Sequence, residues 1–181
     1  MDFVIAAEQP DAPDVVALID THFRFARAAS DQCNAHAMEA DALAGPDVTF
    51  FTCRSADDEG LLLGIGALKT LDAEHGEIKS MHTTAPARGF GIGWAILNHL
   101  ADTAQDRGMG RLSLETGTQD EFGPARSLYV SAGFVACPPF AAYEANDDSV
   151  FMSRELAAPV DTPLDGADFD MAELDGESPS E

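Results

Sequence analysis

The sequence predicts a mixed α+β domain, with a mostly antiparallel central sheet flanked by helices. Three observations predict it. Short β-branched and aromatic runs alternate with turn residues over positions 48–83. Two segments, 13–26 and 92–104, repeat apolar residues at spacings of three and four, the period of a half-buried helix. A glycine-rich turn, Arg88-Gly89-Phe90-Gly91-Ile92-Gly93, joins the strand-rich region to the second helix.

Phe3 to Ala7 is a short apolar run and reads as the first strand. Pro13 suits a first helical position, where its missing N–H costs nothing. Val15, Leu18, Ile19, His22, Phe23 and Ala26 then make one apolar face, on which His22 reads as a core or boundary histidine. Residues 29–47 are mixed, with a helical piece from His36 to Leu43 that Gly45-Pro46 ends. Val48 to Arg54 reads as a strand, Ser55 to Gly60 as a turn and Leu61 to Leu68 as a second strand. Gly64 and Gly66 mark a bulge or a close backbone approach there. Gly76 to Thr83 completes an antiparallel meander.

The helix after the glycine turn carries Ile92, Ile96, Leu97, Leu100, Ala101 and Ala104 on one face, and Gly108 closes it. Arg111 to Thr116 is a strand. Pro124 opens a helix with Ala125, Leu128, Tyr129 and Ala132 inward, and Gly133 suits the position just past its end. Phe134 to Cys137 and Ser149 to Leu156 read as the last strands, while His75 and His99 read as surface residues. The domain is expected over 1–156. Residues 157–181 are acid- and proline-rich without Lys or Arg, and read as a solvated, flexible tail. Recruitment of a protein partner is one role open to it.

The 181 residues suit one domain, and 45% apolar residues suffice for a core. Acids outnumber Lys and Arg by 32 to 10, giving a formal charge of −22. That argues against nucleic acid or an anionic membrane as partner, because a phosphate surface would be repelled. Only Lys69 and Lys79 are lysines, a surface pattern of salt-adapted proteins and equally of any acidic soluble surface. No apolar run reaches bilayer-spanning length, and the start has no basic segment followed by a long apolar one. Cys33, Cys53 and Cys137 lie far apart, which suits a reduced, cytoplasmic protein. No His/Cys/Asp cluster has metal-ligand spacing.

The glycine turn carries the chemistry. The first N–H groups of a helix lack intrahelical partners, and with the helix dipole they attract an anion. Three glycines in five residues let a ligand come close, and Arg88 adds a cation with phosphate-matching geometry. A pyrophosphate-bearing ligand fits, although a tight strand-to-helix turn without a ligand would use the same residues. A dinucleotide fingerprint would need glycine where Trp94 stands, and no P-loop lysine follows.

Arg88-x-x-Gly91-x-Gly93 resembles the pyrophosphate-binding motif of the GNAT family of N-acetyltransferases. Its context agrees: strand before, helix after, then a strand and a helix ending in Leu128-Tyr129-x-x-x-Gly133-Phe134. Segments 76–83, 111–129 and 149–152 look like a bacterial, YsnE-like subgroup. The resemblance implies central strands that splay apart around acetyl-CoA, the co-substrate. Pantetheine amides would pair with the strand near Met81, His82 and Thr83. The pyrophosphate would sit on Arg88, Gly89, Phe90, Gly91, Ile92, Gly93 and Trp94. The implied activity is direct acetyl transfer, in a ternary complex, to a primary amine of a small molecule or of a peptide or protein. A homodimer is common in the family.

The same resemblance makes Tyr129, which also borders the cofactor, the proton donor to the leaving thiolate. For the base, Glu77 is the first candidate, Glu115 the second and His82 the third. By strand alternation His82 faces away from Glu77 and Lys79, which suits packing or cofactor contact. His36, after the first helix, lies where the family builds its acceptor site. The family's asparagine after the fifth strand is absent from Thr116–Glu121, so no role is carried over there. A non-catalytic acyl-CoA-binding or sensing module is the alternative; it would keep the turn and the strand groove but need neither Tyr129 nor a carboxylate.

Overall fold

Seven strands form one sheet in the computed structural model, which describes residues 2–29, 40–57 and 59–157. They are β1 (Phe3–Ala7), β2 (Val48–Ser55), β3 (Leu62–Thr70), β4 (His75–Thr83), β5 (Arg111–Gly117), β6 (Val135–Ala136) and β7 (Ser149–Glu155). The helices are α1 (Pro13–Ala29), α2 (Ala40–Leu43), α3 (Ile92–Asp106) and α4 (Gly123–Ser131). The strand order is β1-β2-β3-β4-β5-β7-β6, antiparallel throughout except between β4 and β5. Residues 30–39 and the tail beyond Ala157 lie outside the described residues, and with them His36 and Cys33.

Each face of the sheet has its own helices. Ile65 and Ala67 of β3 join Val15, Leu18 and Ile19 of α1 and Leu43 of α2 in one apolar cluster. On the other face, Leu68, Ile78, Leu112 and Leu114 join Ile96 and Leu100 of α3, Tyr129 of α4 and Ala132 just after it. The glycine pair in β3 allows α3 to lie close. A Cβ at Gly64 or Gly66 would come within 2.8 or 2.7 Å of the Ile96 side chain.

Two departures from regular pairing shape the centre. The β4–β5 ladder runs only from His75↔Arg111 to Ile78↔Leu114. Beyond it β4 stays on β3 as far as Thr83, and β5 stays on β7 as far as Gly117, so the two strands part. The second departure is a bulge in β4. Ala67 pairs with Lys79 but Ile65 pairs with His82, and Ser80 between them has φ 51°.

The bulge corrects the expected facing of His82. The extra residue resets the alternation, so His82 shares a face with Lys79 and Glu77, the face covered by α1. Glu115 lies there too, because it follows Leu114, which points to the α3 face. His75 also differs from expectation. It is buried, with Nε2 2.7 Å from Ser113 Oγ and its ring against Phe140. The strand expected over 134–137 shortens to two residues at the sheet edge.

Candidate active site

Where β4 and β5 part, a cleft of about 530 Å³ opens. It is lined from both faces of the sheet. From α1 come His22, Phe25 and Ala26; from the other side come the first turn of α3 and Ala125, Leu128 and Tyr129 of α4. Met81, His82 and Thr83 line it from β4. β5 contributes Glu115, Thr116 and Gly117.

The glycine turn forms one end. Gly91 caps α3 in the left-handed conformation at φ 81°, which a side chain would strain, and no side chain bonds to the helix start. The amides of Ile92, Gly93 and Trp94 are therefore the open first-turn donors. All three residues line the cleft, as do Arg88, Gly89 and Gly91. Phe90 does not; its side chain is largely exposed. Arg88 is tethered to the end of β4 through Nε and the Thr83 carbonyl, 3.4 Å apart.

Tyr129 is set by the way α4 ends. The Phe134 N–H donates to the Tyr129 carbonyl and the Gly133 N–H to the Val130 carbonyl, both at 3.0 Å. Gly133 takes φ 86°, and the Phe134 ring packs on Tyr129 at 6.0 Å. This is a Schellman cap with its apolar contact, and it gives the Tyr-x-x-x-Gly-Phe spacing a physical cause. The Tyr129 hydroxyl has no hydrogen-bond partner among the described residues. Burial, and then the charge of Glu115, push its pKa up to about 12.

The two candidate carboxylates lie in different surroundings. Glu77 is 3% exposed and does not line the cleft. Its Oε1 accepts from Lys79 Nζ at 3.0 Å and from the Tyr143 hydroxyl at 2.5 Å, and Lys79 Nζ also donates to Tyr143 at 2.6 Å. Glu115 lines the cleft, where its Oε1 accepts from Ser149 Oγ at 2.6 Å.

His82 meets His22 of α1, with the two Nδ1 atoms 3.4 Å apart and the rings edge-on at 5.4 Å. Burial, then the charges of His82 and Lys79, hold His22 down at about 4. Burial and then Arg88 lower His82. Phe25 packs on His82 at 6.2 Å and on Phe122 at 5.1 Å. The loop after β5 is pinned by Arg126, whose Nη1 donates to the carbonyls of Gly117 at 2.6 Å and Gln119 at 2.9 Å.

Sequence reasoning missed Phe25, Phe122, Lys79 and Ser149 as cleft residues; His22, read as a core or boundary histidine, is half-buried and also lines the cleft. Phe25 carries a weak signal, since it is an aromatic residue off the apolar face of its helix. Among the described residues no group of His, Cys, Asp and Glu could hold a metal ion, and no helix is long and apolar enough to cross a membrane.

A helix-capped cleft between parted β4 and β5 strands, with the tyrosine at the end of α4, is the architecture of an acyltransferase. The chain belongs to the acetyltransferase (GNAT) family, whose description matches residues 15–134. It is 44% identical over 142 residues to the uncharacterized N-acetyltransferase YsnE of Bacillus subtilis, covering 78% of this chain and 92% of that protein. It is 40% identical to the uncharacterized N-acetyltransferase YedL of Escherichia coli, covering 85% and 95%. A solved structure from Klebsiella pneumoniae, named as an acyl-CoA N-acyltransferase, superposes with a TM-score of 0.69 at 25% identity, covering 86% of this chain and 98% of the other. The chain is therefore an N-acetyltransferase of the YsnE-like subgroup.

Proposed function

We propose that the protein transfers an acetyl group from acetyl-CoA to a primary amine by direct attack in a ternary complex. The observation that carries this reading is the cleft itself: an open strand edge leading into an uncapped helix start. Residues 79–83 of β4 have β3 on one side and no ladder partner on the other, so their outward amides and carbonyls can pair with an extended chain. A pantetheine arm is such a chain. The Ile92, Gly93 and Trp94 amides, with Arg88, suit a diphosphate, and the local dipole works despite a chain charge of −22.

The chain's residues divide the work by face. Glu115 meets the incoming ammonium on the α1 side and accepts its proton. An amine of pKa ~10.4 costs about 5 kcal/mol to deprotonate near pH 7. The neutral nitrogen forms the new bond to the acetyl carbon, and the carbon–sulfur bond breaks. A β4 amide near Met81 polarises the carbonyl. Tyr129, on the α4 side, donates its proton to the departing sulfur, and the second proton that the nitrogen sheds as the amide forms returns to the phenolate through solvent. Protonation of Glu115 removes one of the two causes that hold the phenol proton, so Tyr129 becomes the stronger acid as the thiolate forms.

The test is calorimetric binding of acetyl-CoA combined with thiol release across a panel of primary amines. Binding with amine-dependent thiol release supports the transferase. Binding without release for every amine would leave only an acyl-CoA-binding module.

A further inference from the structure

We propose that the α1 side of the cleft is an acceptor subsite for an arylalkylamine, a primary amine carried on a flat apolar ring. This rests on the acetyl-transfer reading above and names the acceptor class for it. Three observations carry it. First, aromatic rings make this wall: Phe25 bridges His82 and Phe122, and His22 closes on His82. Aromatic side chains favour another ring edge-on or offset at these spacings. Second, His22 and Phe25 come from α1, on the sheet face opposite α3, and Glu115 shares that face, so the ring wall and this carboxylate line the same cleft.

Third, the charges available there suit a cation rather than an anion. Lys79 is taken by Glu77 and Tyr143, so it offers little to an acceptor carboxylate. Glu115 accepts from Ser149 and Asp148 from Gln119, both neutral donors, so each keeps its negative charge in the cleft, with Glu121 at the exposed rim. The amine would sit at Glu115 and the ring against the wall that Phe25, Phe122 and His82 form together.

The full-length protein is assayed for thiol release with acetyl-CoA and three amines: 2-phenylethylamine, n-butylamine and spermidine. The expected kcat/KM for 2-phenylethylamine exceeds that for n-butylamine by ~tenfold or more, the size of a ring contact plus the extra burial. Phe25→Ala and Phe25→Leu should each raise KM for 2-phenylethylamine several-fold and leave KM for acetyl-CoA unchanged. Phe25 is partly exposed, so both variants should fold, and the wild-type panel decides even if one does not. Equal or better turnover of n-butylamine or spermidine would overturn the subsite while leaving acetyl transfer intact. Absence of turnover with every amine would overturn both.

Discussion

His22 Nδ1 and His82 Nδ1 lie 3.4 Å apart, so one ring must donate and the other accept across the boundary between α1 and β4. The pair exists because the bulge at Ser80 turns His82 toward α1. Lys79 and Arg88 stand near it as cations, and both favour the neutral rings.

Stability should therefore depend on pH. The folded pKa of His22, about 4, lies below the ordinary 6.5, so the unfolded chain takes up the proton first as pH falls. The stabilisation is fully present above pH 6.5 and is lost between 6.5 and 4. The ceiling is about 3 kcal/mol from the width of that window, and about half of that for a ring in partial contact with solvent. Urea unfolding across this range should show the loss, and His22→Asn should flatten it. His82 and His75 shift in the same direction and will keep a residual slope. A separate loss at lower pH is expected from Glu8 and Asp14, whose carboxyls Arg54 holds below their usual range.

Tyr129→Phe should lower kcat by about 10²-fold, the usual scale for a lost general acid, with acetyl-CoA affinity little changed. Stopped-flow thiol release and calorimetry measure the two separately. An unchanged kcat removes the phenol from the chemistry.

Glu115→Gln and Glu77→Gln should separate reaction from stability. Glu115→Gln should reduce kcat by about 10²-fold. Glu77→Gln leaves a largely buried Lys79 without its counter-charge, and should cost about 3 kcal/mol in unfolding free energy with kcat of the folded enzyme retained. The reverse pattern would return the base to Glu77.

Salt should not weaken acetyl-CoA binding. The attraction comes from helix amides and Arg88 at contact distance, while the repulsion comes from a spread surface charge of −22. Raising ionic strength from ~0.05 to ~0.5 M screens the distant charges first. Calorimetric Kd values should stay flat or tighten; a steep rise would show that Arg88 and its neighbours act through a long-range field.

Much of this was legible in the sequence. The glycine turn, the helix from Ile92 and the Tyr129-to-Phe134 ending follow from local rules of backbone and cap, which act within a few residues. The facing of His82 was not legible, because one residue of bulge in β4 inverts every later side chain and leaves no compositional mark. Glu77 looked as open as Glu115 in the sequence. Its enclosure depends on Tyr143, sixty-six residues away and in a loop without periodicity. Phe25 and Phe122 likewise meet only through the tertiary fold.

The parting of β4 from β5 makes the sheet a partition with a slot in it. If the diphosphate-bearing reactant is gripped behind the partition and the nitrogen nucleophile comes from the front, neither bars the other's doorway. Such an enzyme has no structural reason to impose a compulsory order of addition, and its double-reciprocal plots should cross rather than run in step.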